Sequence, residues 1–113
     1  MALAIAVRQV GSVAVMDVSG RLVLGEECSI VREKIRELLA SGQKNILLNL
    51  SEVTYADSAG LGELVASHVT VAKAGGRLKI LNSQKKLDGL LEITRLHTIF
   101  EVFADQDLAV LSF

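Results

Sequence analysis

A chain of 113 residues is the size of one small domain, and with half of its residues hydrophobic it can bury a core without disulfide or metal staples. Its 12 basic and 13 acidic side chains nearly cancel and form no basic block, which excludes the electrostatic footprint of a nucleic-acid or anionic-membrane binder. The single cysteine, Cys28, excludes an internal disulfide and fits a reducing, cytoplasmic setting, and neither a secretory leader nor a membrane span of roughly 18 apolar residues is expected.

In chain order, Ile5 to Val10 reads as a strand, Gly11-Ser12 as a turn, and Val13, Val15 and Val18 as the start of a second strand, so a hairpin is predicted. Ser19-Gly20 is expected to break that strand before a short third one at Arg21 to Leu24. Glu26 to Ala40 has helical periodicity. Val31, Ile35, Leu38 and Leu39 share one face, Arg32 to Glu37 supply a solvated one, and Gly42 provides the stop. Asn45 to Leu50, around Ile46-Leu47-Leu48, has the short apolar run of a buried central strand.

A second helix is predicted from Asp57 or Ser58 to about Ala74, with Leu61, Leu64, Val65, His68 and Ala72 on its apolar face and Gly75-Gly76 ending it. Leu78 to Leu81 follows as a strand. Ser83 is suited to cap a third helix bearing Leu87, Leu90, Leu91 and Thr94. Ile99 to Phe103 reads as a last strand, and Asp105 as the cap of a short terminal helix to Leu111. A hairpin followed by alternating helices and strands defines an α/β domain with a mixed sheet and helices packed mainly on one side.

Chemistry concentrates at Asn49 to Gly62, where a buried strand meets a helix. A serine at that junction sits among the free N–H groups of a helix start, and its hydroxyl can cap them. A phosphate there faces the positive end of the helix dipole and is expected to take the same donors. It adds about −1.5 to −2 charges, enough to block docking without unfolding the chain.

The run Asp57-Ser58-Ala59-Gly60-Leu61-Gly62 resembles the signature of anti-sigma-factor antagonists, members of the STAS family. Gly20-Arg21-Leu22, Asn49-Leu50-Ser51, Gly75-Gly76-Arg77-Leu78, Asn82-Ser83 and Leu91 to Leu96 with Ile99-Phe100 resemble further family elements, in the family's order. The resemblance implies a single STAS domain over 1–113 that is not an enzyme and needs no cofactor or metal. It implies an unphosphorylated form that binds an anti-sigma factor serine kinase of the histidine-kinase-like ATPase class and frees the sigma factor. Phosphorylation of Ser58 from Mg-ATP then switches binding off, and a serine phosphatase resets it. Partner contacts are expected from Asp57, Ser58, Ala59, Gly60, Gly62, Glu63 and Ala66. Ala59, Gly62 and Ala66 would form a small-residue stripe, with Glu63 and Thr70 exposed beside it. Two departures stand out: Ala59 replaces a second hydroxyl, and Val23-Leu24 occupies a place where many members carry an aspartate.

The alternative reading is a constitutive STAS scaffold or a subunit of a signalling or transport complex, with Ser58 a plain helix cap. Other chemistries lack their residues. Val65 stands where a dinucleotide fingerprint needs its third glycine, Ser58 is outside any Gly-x-Ser-x-Gly elbow, and no phosphate-cradling lysine loop exists. His68 on an apolar face and distant His97 read as structural, and Cys28 as a small buried hydrophobe. The hairpin leaves an open edge carrying Leu3 and Ile5, from which weak homodimerisation is expected.

Overall fold

The computed structural model describes residues 3–81, 95 and 98–113. Alternating side chains at the N-terminus build a hairpin. β1 (Leu3–Val10) and β2 (Val13–Leu22) pair antiparallel in unbroken register from Val10 opposite Val13 to Leu3 opposite Gly20. Gly11 takes φ 60 at the first loop position, where the mirror-type hairpin turn needs a residue without Cβ.

Next come α1 (Glu26–Ala40), β3 (Asn45–Ala56), α2 (Ser58–Lys73), β4 (Arg77–Leu81), β5 (Val102–Phe103) and α3 (Gln106–Leu111). The strands lie in the order β1-β2-β3-β4-β5, and only the hairpin pair is antiparallel. Because the parallel strands follow sequence order, right-handed crossovers place α1 and α2 on one face. That face holds the main core, with Met16, Val18, Ile46, Leu48, Leu50 and Ile80 packed against Val31, Ile35, Leu61, Leu64 and Val71. The other face carries Val13, Val15, Leu47 and Leu81, covered by Ala109 of α3. β3 is therefore buried on both sides: Ile46, Leu47 and Leu48 are each 0% exposed. Removing a side chain of that size from water contributes roughly 1.5–3 kcal/mol.

The mixed sheet with helices mainly on one side is as expected, as are the bounds of α1 and the left-handed Gly42 (φ 88) behind it. Other expectations need correction. Ser19-Gly20 does not end β2, and Arg21 to Leu24 is not a third strand. β2 runs on to Leu22 through register shifts between Asp17 and Ser19 and between Gly20 and Arg21, with Gly20 at φ 105. The bulged strand stays paired with β3 from Glu52 to Ala56, so β3 extends well past Leu50.

Packing against α1 also turns the buried face of α2. Gly60, Leu61, Glu63, Leu64, Ser67 and Val71 are buried, while Ala72 is exposed and His68 half-buried, edge-on to Phe100 at 5.4 Å. The last strand contracts to Val102–Phe103, and Ile99 and Phe100 lie in the turn before it. Asp105 caps α3 as expected, accepting from Leu108 N at 3.1 Å. The helix expected from Ser83, with Leu87, Leu90, Leu91 and Thr94, lies outside the described residues, as does His97.

Candidate functional site

The strand ends of β2 and β3 meet where Leu22 pairs with Ala56, and the next residue opens α2. Asp57 has extended backbone (φ −95, ψ −178) and is the N-cap. Its carboxylate accepts from Gly60 N at 2.8 Å and from Leu24 N at 3.0 Å. Its own N–H donates to Leu22 O at 3.2 Å, and its carbonyl accepts from Leu61 N at 3.0 Å. One side chain thus fastens the β2–α1 loop to the first turn of α2. The Leu24 N–H first, then the Gly60 N–H, holds the Asp57 carboxyl below its ordinary value and keeps it ionised.

Ser58 is the first helical residue and is exposed. Among the described residues its hydroxyl makes no hydrogen bond. The expectation that Ser58 caps the helix is therefore corrected, because Asp57 has that task. Of the helix-start N–H groups that a Ser58 phosphate was expected to take, that of Gly60 is already held by the Asp57 carboxylate.

The motif splits by helical phase. Ala59, Gly60 and Glu63 face inward. A Cβ on Gly60 would lie 2.2 Å from the Leu22 carbonyl oxygen, so the close approach this glycine permits is to the chain's own β2. The Cys28 thiol lies 3.2 Å from Val23 O and 3.7 Å from Ala59 O. Glu63 is buried, contrary to its expected exposure, and accepts from Arg32 Nη2 at 2.7 Å. Cys28–Ala59 and Arg32–Glu63 are successive rungs of the α1–α2 contact, each one helical turn from the last. Burial, then the nearby charges of Glu63 and Asp57, pushes the Cys28 thiol up, so it stays protonated and poorly nucleophilic.

Ser58, Gly62 and Ala66 recur every four residues on the outer side and are all exposed, as is Thr70. A Cβ on Gly62 would meet nothing within 4 Å. The expected stripe of Ala59, Gly62 and Ala66 is thus rephased: Ser58 belongs to it and half-buried Ala59 does not.

The exposure of two apolar side chains at this end of the sheet escaped the sequence reading. Leu24 is 75% exposed in the loop held by Asp57, and Tyr55 is 48% exposed on the last turn of strand before it. The Arg21 guanidinium lies over the Tyr55 ring at 5.3 Å. Reading Arg21 to Leu24 as a strand hid Leu24. The position of Tyr55, the chain's single tyrosine, two residues before Asp57 was the available signal. Among the described residues no cluster of His, Cys, Asp or Glu could hold a metal ion, and no helix is long and apolar enough to cross a membrane.

The mixed five-stranded sheet with its helix layer agrees with the comparisons. The STAS domain profile matches residues 4–109, and the chain belongs to the STAS domain family. Its likeness within that family is to anti-sigma factor antagonists. It is 36% identical over 78 residues to the anti-sigma-B factor antagonist of Bacillus subtilis (strain 168), across 69% of this chain and 71% of that protein. An anti-sigma factor antagonist from Mycobacterium paratuberculosis shares the fold with a TM-score of 0.82 at 21% identity, over 97% of this chain and 92% of that one. So does phosphorylated Bacillus SpoIIAA, with a TM-score of 0.70 at 20% identity over 95% and 96% of the two chains.

Proposed function

We propose that this protein is a phosphorylation-controlled docking module and that Ser58 is its switch. In its unphosphorylated form it binds an anti-sigma factor that is also a serine kinase of the histidine-kinase-like ATPase class, and so frees the sigma factor. It performs no catalysis itself. The observation that carries this reading is the division of labour at the helix start: Asp57 caps α2, leaving Ser58 exposed and without a structural task.

The docking surface comprises Ser58, Gly62 and Ala66 on the outer face of α2, with Leu24 and Tyr55 as its apolar flank. Asp57, Ala59, Gly60 and Glu63 support that surface from within by fixing loop and helix. The Gly60 N–H is occupied by the Asp57 carboxylate, so a phosphate on Ser58 stands outward beside an ionised side chain. In a docked interface that dianion would have to leave water without compensation, which releases the partner. A serine phosphatase then restores the binding form.

The test uses wild-type, Ser58→Ala and Ser58→Asp proteins as bait in lysate of the source cell, with captured proteins and phosphopeptides read by mass spectrometry. Wild-type and Ser58→Ala are expected to retain a kinase of the stated class, Ser58→Asp to lose it, and added Mg-ATP to phosphorylate Ser58 in the wild type alone. Equal capture of the same partners by all three, with no phosphate on Ser58, overturns the switch and favours a constitutive scaffold in a signalling or transport complex.

A further inference from the structure

The two edges of the sheet are unlike. β5 offers only Val102–Phe103, too short to template another strand, whereas β1 presents Leu3–Val10. Among the described residues nothing pairs with the outer side of β1. Its register with β2 is continuous, with no bulge to twist it away, and the chain contains no proline. Its one charged residue, Arg8, is turned onto the sheet. The guanidinium bonds the Asp17 carboxylate through Nε at 2.5 Å and through Nη2 at 3.0 Å, and reaches Gln106 Oε1 at 2.8 Å. Among the described residues the edge has no bulge, no proline and no covering strand, and its one charge is spent on Asp17.

Which groups point outward follows from the hairpin. A two-residue loop makes Val10 and Val13 a hydrogen-bonded pair, so Ala4, Ala6 and Arg8 bond inward to β2. Leu3, Ile5, Val7 and Gln9 therefore present their N–H and C=O groups to solvent along the free edge. The side chains of that set point toward the helix layer. Leu3 is 1% exposed, which corrects its expected place as a free apolar edge residue, and Ile5 packs on the main core. Val7 is 40% exposed.

We propose that β1 is a homodimerisation edge on which a second copy of this chain pairs antiparallel about a two-fold axis at Ala6. Leu3 then faces Gln9 of the second copy and Ile5 faces its Val7, both as hydrogen-bonded pairs, so every outward backbone group from Leu3 to Gln9 is satisfied. Ala6 faces Ala6 as a non-hydrogen-bonded pair, the closer of the two pair types, where a small side chain is needed. Arg8 faces Ala4, so no like charges are opposed. The exposed Val7 is covered by Ile5. The pairing is isologous and closes at two copies, since β5 is too short to carry a chain of β1-to-β5 contacts. It extends the sheet and leaves Ser58 free, so it stands apart from the phosphorylation switch.

Sedimentation equilibrium up to about 1 mM, where so small an interface is populated, tests the proposal. The wild-type mass is expected to rise from 12.1 kDa toward twice that value. Ser58→Ala and Ser58→Asp are expected to dimerise as the wild type does. Val7→Pro removes an outward N–H only, and Val7→Lys places a charge on the edge. Each is expected to weaken association roughly tenfold or more with an unchanged circular dichroism spectrum. If Val7→Pro alters the fold, Val7→Lys decides. A wild type that stays monomeric at the highest concentration, an open series of larger species, or a folded Val7 variant that dimerises undiminished overturns the proposal.

Discussion

The first turns of α2 have an inner and an outer side that differ in everything but sequence proximity. Inward, Asp57, Ala59, Gly60 and Glu63 are bonded or pressed against β2, the loop after it, and α1. Outward, Ser58, Gly62 and Ala66 touch solvent, and a side chain added at Gly62 would meet open space. A single short motif thus carries two kinds of constraint, assigned by helical phase. The inner residues hold the helix start still, and the outer ones have no such task. The two motif glycines make the contrast plain, since one is required by the fold and the other is not.

Substitution at those glycines is the most direct way to break the comparison. Gly60→Ala forces a methyl group onto a backbone carbonyl that cannot move aside, and is expected to cost about 3 kcal/mol, a large share of a small domain's stability. Chemical denaturation measures it; a loss under about 1 kcal/mol would mean that Gly60 is not held by Leu22.

Asp57→Ala is expected to have the next largest effect, and its pH dependence identifies the cause. The folded-state pKa of Asp57 lies below its ordinary value of 3.8, so its contribution to stability is complete above that pH and fades as pH falls through the depressed value. The wild type should exceed the variant in stability at pH 7, and the gap should narrow below about pH 4. Thermal melts across that window check this; a gap independent of pH would remove the ionised clamp.

The smallest effect belongs to Gly62→Ala, which replaces a helical glycine with no steric conflict and is expected to raise stability by up to about 1 kcal/mol. The same variant is expected to bind the proposed kinase partner less well, because the added methyl group stands on the proposed docking face. Greater stability with undiminished binding would move the docking surface elsewhere.

Much of the fold was legible because it rests on local periodicity. The heptad-like spacing of Val31, Ile35, Leu38 and Leu39 marked α1, and the run Ile46-Leu47-Leu48 marked a strand buried on both faces. The bulges were not legible. Ser19-Gly20 carries the composition of a strand break, and only pairing of β2 with β3 from Glu52 to Ala56 keeps the strand going. The length of β3 was missed for the same reason.

At the site, the sequence by itself determined that a strand-to-helix junction would hold an aspartate, a serine and two glycines, since spacing and residue type are local properties. Only the tertiary structure decided which of them the fold consumes. Whether Asp57 or Ser58 caps α2 depends on the Leu24 N–H, which lies far away in the chain and is brought near by the parallel pairing of β2 with β3. The burial of Glu63 likewise depends on Arg32 of a different helix, and the role of Gly60 on the carbonyl of Leu22. Each is a contact between segments distant in sequence, so no local pattern encodes it, and it is these contacts that leave Ser58 free.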